Sequence, residues 1–126
     1  MGSDIALMAH LMRRAGFGAS YDELEARVSK GYEATVEQLL NPGEEQRISD
    51  FLIRRFHPEI SSMMGTYAPG ENWLYRMVTT SAPLQEKMAL FWHHVFATAY
   101  FKSSHARASV AQIDRFRENG LGNMRQ

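Results

Sequence analysis

The chain has no cysteine in its 126 residues, which rules out disulfide staples and thiolate chemistry. Lysine is nearly absent, occurring only at positions 30, 87 and 102, and the 14 basic residues balance 14 acidic ones. A formal net charge of zero leaves no broad electrostatic footprint for nucleic acid or anionic lipid. No apolar run reaches the roughly 20 residues that a membrane-spanning helix needs; residues 88–101 come nearest, and two histidines interrupt them. The first apolar stretch runs into Arg13-Arg14 without a small-residue cleavage site, so no signal peptide is read in this chain. Strand-like alternation, internal repeats and low-complexity tracts are missing as well. What is present is ordinary for a globular domain: 44% hydrophobic and 22% charged residues, in a length that buries roughly two-thirds of the unfolded surface.

Helix punctuation is strong. Ser3 is a good N-cap, Ile5, Leu7, Met8, Leu11 and Met12 fall on one side of a first helix, and Gly16 and Gly18 stop it. Ser20-Tyr-Asp-Glu23 reads as a capping box that opens a second helix ending near Gly31. Residues 32–40 form a short third helix closed by Asn41-Pro42-Gly43, and residues 44–47 a charged connector. Residues 48–56 form a fourth helix, broken at His57-Pro58 because a residue before proline avoids helical geometry. A short helix follows over 59–65, then a turn over 67–70. Asn72 caps the next helix, carrying Trp73, Leu74 and Met77 to about Thr80. Pro83 opens a long helix that runs to about Phe101. Ser103 or Ser104 caps a last one, with Val110, Ile113 and Phe116 on one face and Asn119-Gly120 at its end. The expected fold is all-α, an irregular multi-helix bundle of six to eight short helices in a single domain.

Three segments carry a resemblance. His10-Leu-Met-Arg-Arg-Ala-Gly-Phe-Gly18, residues 83–98 and residues 112–123 resemble, in order and spacing, the N-terminal part of the bacterial domain-of-unknown-function 1800 family. The resemblance implies the N-terminal fragment of a longer helical architecture, often exported and often encoded beside a sulfatase-like partner, with no established chemistry to carry over. One departure stands out. The family's aromatic motif often reads Phe-Trp-His-x-His-Phe, whereas this chain has Phe91-Trp92-His93-His94-Val95-Phe96.

The helix opened by Pro83 holds the main candidate chemistry. At 100° per residue Leu84, Met88, Phe91, Trp92, Val95 and Ala99 share one face, which reads as core. Glu86, Ala89, His93 and Ala97 form the opposite stripe. In one reading the alanines let another helix approach closely and His93 is a satisfied buried histidine. In the other they floor a cleft in which His93 is a base and Glu86 assists. Two turns, about 10 Å, separate Glu86 from His93, so joint action needs something between them. Adjacent His93 and His94 diverge by about 100° and make a poor metal pair, so no metal is expected. His10, Arg13 and Arg14 share a face of the first helix and suit an anion, or else pair with Asp22, Glu23 or Glu25. Neither a Gly-x-Ser-x-Gly elbow nor a phosphate-cradling loop occurs, and no cofactor is expected.

Two functions remain open at this stage. One is a non-catalytic helical module that binds a second copy of itself or a protein partner, without nucleic acid. The other is a small hydrolase of ester or glycan type using His93 with Glu86, and Arg13 or Arg14 for an anion.

Overall fold

The computed structural model describes residues 2–43, 48–60, 68–99, 102 and 104–123. Seven α-helices and a 3-10 turn account for most of them, and no strand occurs among the described residues. They are α1 (Gly2–Ala15), α2 (Tyr21–Lys30), α3 (Tyr32–Leu40), α4 (Asp50–Phe56), α5 (Ala68–Thr79), α6 (Pro83–Val95) and α7 (Ala106–Asn119), with the 3-10 turn Pro58–Ile60 after α4. The fold is an all-α multi-helix bundle. The connector at 44–47 and most of the short helix expected over 59–65 fall outside the described residues.

Local chemistry explains the first three helices. The Ser20 hydroxyl accepts a hydrogen bond from the Glu23 amide at 3.3 Å, half of the capping box. Gly31 then both closes α2 and opens α3. Its N–H reaches the carbonyls of Arg27 and Val28, and its φ of 98° lies where a side chain is strained. The tight α2–α3 corner buries Thr35, whose hydroxyl donates to the Gly31 carbonyl at 2.9 Å. Met8, Met12, Leu24 and Leu39 pack together between α1, α2 and α3, and Leu84 of α6 closes this core. Burying each such side chain is worth about 1.5–3 kcal/mol. Leu7, expected on the same face, is instead exposed.

The end of α1 meets the start of α6 at close quarters. A Cβ on Gly16 would lie 2.8 Å from the Pro83 Cβ, so only glycine allows this approach. Lys87, one turn into α6, donates to the carbonyls of Arg13 (3.0 Å) and Gly16 (2.7 Å), capping α1 from outside.

Several boundaries differ from the sequence reading: α1 already contains Ser3, expected as its cap, and α4 starts at Asp50 behind a Ser49 cap rather than at 48. Helix α5 begins at Ala68 rather than at Asn72: Pro69 fits a first turn, and Asn72 lies inside the helix, accepting a hydrogen bond from Arg76 Nε. Helix α6 ends at Val95, short of Phe101, because leaving the helix at Phe96 stacks that ring between Trp92 and Phe116, each 5.9 Å away. Helix α7 is preceded by His105, which makes no side-chain cap, while Ser104 holds a positive φ of 54°.

The largest correction concerns which way α6 faces. The stripe Glu86–Ala89 is buried, with Ala89 fully so, while Phe91 and Val95 of the expected core face are each 52% exposed. Ala99, expected on that face, lies past the helix end and is exposed. The cause is α7, which packs on the small-residue stripe and supplies a charged partner for Glu86.

Gly31→Ala tests the shared corner. A Cβ there meets nothing within 4 Å, so the loss is backbone strain alone, about 1–3 kcal/mol, read as a lower urea midpoint with an unchanged slope.

Candidate functional site

The buried stripe of α6 holds an ion pair. Glu86 Oε1 accepts from Arg117 Nε of α7 at 2.5 Å, and Oε2 accepts from Arg117 Nη2 at 3.3 Å and from the Trp73 indole of α5 at 3.0 Å. Both side chains are buried, 6% and 9% exposed. Asp114, one turn earlier on α7, accepts from Arg117 Nη1 at 2.5 Å and keeps about half its surface. Burial acts to lower the Arg117 pKa, but the hydrogen bonds and charge of Glu86, joined by Asp114, hold it above the ordinary value. Asp114 is raised above its ordinary 3.8, because desolvation, aided by the negative charge of Asp50, outweighs the pull of Arg117 and Arg76.

His93 and Glu86 are not in contact, but Trp73 stands between them. Its indole donates to Glu86, and its ring meets the His93 ring edge-on, with centroids 5.2 Å apart. His93 Nδ1 is buried and has no hydrogen-bond partner among the described residues, so the close-packed stripe is present without a partner there for its histidine. Both Glu86 oxygens are occupied. The hollow beside Glu86 and Arg117 measures about 20 Å³, room for about one water molecule and none for an ester or sugar. Ala97 lies beyond the end of α6 and is exposed.

The first-helix residues His10, Arg13 and Arg14 are all exposed on α1. Neither arginine pairs with Asp22, Glu23 or Glu25; Glu23 instead pairs with Arg27 of its own helix at 2.8 Å. Arg14 faces α6, where it lines a hollow of about 480 Å³ with Lys87, Met88, Leu90, Phe91 and His94. His10 and Arg13 do not line it. The remaining histidines are dispersed: His57 sits beside Glu59 and Tyr75, and His105 precedes α7. Among the described residues no group of three or more His, Asp or Glu is placed to hold a metal ion.

A larger cleft, about 570 Å³, opens between the α1–α3 unit and α5, lined by Met12, Phe17, Leu74, Met77, Val78 and Pro83 among others. Leu74 and Val78, one helical turn apart, stand 61% and 78% exposed at its edge.

Sequence reasoning missed Arg117, Trp73 and Lys87. A signal for Arg117 was available: it lies four residues after Ile113 and seven after Val110, so a guanidinium sits on an otherwise apolar stripe and needs a buried acid. Nothing local marks Lys87, whose partners are main-chain carbonyls more than 70 residues away.

Replacing Glu86 alone by Ala strands a buried guanidinium and should cost about 3–5 kcal/mol; replacing Glu86 and Arg117 together by Leu and Met should cost much less. Urea titrations of the four-member cycle read the difference. For Asp114, a raised folded pKa means that the folded state holds the proton more tightly. That contribution is fully present below 3.8 and fades as pH rises through the raised value. Asp114→Asn should therefore gain stability relative to the parent as pH climbs from 3.5 to about 7, and a difference independent of pH would refute this account.

A family model described as "Protein of unknown function (DUF1800)" matches residues 10–126, nearly the whole chain. No curated protein and no solved structure matches. The chain belongs to the DUF1800 family.

Proposed function

We propose that this DUF1800 member is a non-catalytic helical association module that pairs with a second copy of itself through the apolar edge of α5. The observation that carries this reading is the exposure of Leu74 and Val78 beside a cleft whose wall is partly apolar, from Met12, Phe17, Met77 and Pro83, and partly polar, from Glu23, Arg27, Gln38 and Thr80. Large apolar side chains one turn apart on a helix face, next to a groove, are the usual raw material of helix-in-groove contacts. A stable dimer buries about 800 Å² on each partner. Two side chains fall short of that, so Met77, Phe17 and the cleft wall belong to the same contact. Zero net charge removes the repulsion that keeps strongly charged proteins apart.

The hydrolase reading asks for a carboxylate free to work with His93. Glu86 gives its oxygens to Arg117 and Trp73, which favours the structural role.

Sedimentation velocity over a hundredfold range of concentration tests the proposal. The parent should shift from monomer towards dimer, and the double variant Leu74→Glu, Val78→Glu should stay monomeric with unchanged helical circular dichroism. A parent that remains monomeric throughout and binds no apolar dye would rule it out. An active ester or glycoside in a substrate screen, lost on His93→Gln, would replace it with the catalytic reading.

A further inference from the structure

The hollow between the end of α1 and the outer face of α6 has a chemistry of its own. Its wall is made of three nitrogen-bearing side chains, Arg14, Lys87 and His94, and three apolar ones, Met88, Leu90 and Phe91, with no acidic side chain. Its volume, about 480 Å³, lies within the range of small-molecule sites. We propose that it binds an amphipathic carboxylate, with the acid group held by Arg14 and His94 beside Lys87 and the apolar body laid across Leu90 and Phe91.

Each wall residue supports a part of this. Arg14 has no ion-pair partner among the described residues, so its planar fork is available, and that fork matches a carboxylate in two parallel hydrogen bonds. Lys87 is fixed rather than mobile. Its ammonium spends two N–H groups on the Arg13 and Gly16 carbonyls and lies 5.5 Å from the centre of the Phe17 ring, leaving one donor at a set position. Such anchoring removes part of the ordering cost of binding. The α1 carbonyls draw on the Lys87 charge, so Arg14 carries most of the attraction. Leu90 and Phe91 are 39% and 52% exposed, giving an apolar floor that a simple inorganic anion would leave uncovered. The site lies on α1 and α6, away from the α5 edge, and does not depend on self-association.

Calorimetry with three probes separates the parts: decanoate below its micelle concentration, decanol as the neutral analogue, and acetate as the acid group without a tail. Decanoate should bind the parent, decanol at least about tenfold more weakly, and acetate not measurably. Arg14→Gln and His94→Gln, both at exposed positions, should each weaken decanoate by about tenfold or more while helical circular dichroism stays unchanged. Lys87 is left in place because it caps α1. Decanol binding as tightly as decanoate would reduce the hollow to an apolar patch. Decanoate affinity that survives both substitutions, or no decanoate binding at all, would overturn the assignment.

Discussion

The contact between Glu86 and Arg117 governs how the second half of this molecule is arranged. A buried carboxylate and a buried guanidinium each carry a desolvation penalty of several kcal/mol, which only a close partner offsets. That penalty dictates that α6 and α7, whose two charges lie 31 residues apart, pack with these faces together. Trp73 joins through its indole N–H, so α5 is held to the same point. Ala89, fully buried one turn along from Glu86, removes the bulk that would keep the backbones apart. Well-packed apolar replacements of buried ion pairs are often neutral or stabilising, but they carry no charge that must meet its partner.

The orientation of α6 follows from that demand, and so does the surface of the molecule. Turning Glu86 and Ala89 inward turns Phe91 and Val95 outward, because a helix has only one circumference. The cost of exposing them is lowered by ring stacking. Phe91 meets Trp92 edge-on at 5.2 Å, and Trp92, Phe96 and Phe116 form a stack that covers part of each ring. The Trp92 indole, meanwhile, donates to the Gly120 carbonyl at 2.9 Å and satisfies the end of α7. The aromatic motif thus serves mainly as a clasp between the last two helices.

The elements that sequence displays well are those decided within a few residues. The Ser20 cap, the Gly31 corner, the proline start of α6 and the breaks at Gly16 and His57 all rest on local backbone chemistry, and they stand where they were expected. The faces were harder to read. Helical periodicity ranks faces by hydrophobicity, and the α6 wheel has a strongly aromatic side that wins any such ranking. A buried ion pair reverses the ranking only when its partner is known, and Arg117 lies on another helix. The anion candidates show the same limit. The α1 face with His10, Arg13 and Arg14 was visible, but only Arg14 meets α6, where Lys87 and His94 wait on the other wall. Spacing on one helix says nothing about the helix opposite.

The same packing sets the surroundings of the His93 ring. Its buried Nδ1 has no hydrogen-bond partner among the described residues, while its neighbour Trp73 spends its only N–H on Glu86. Trp73 has a single N–H and gives it to a carboxylate, a bond worth about twice a neutral one. Trp73 meets the ring edge-on, and the hollow beside Glu86 and Arg117 has room for about one water molecule. The geometry that gives the bundle its register also sets what surrounds its most suggestive histidine.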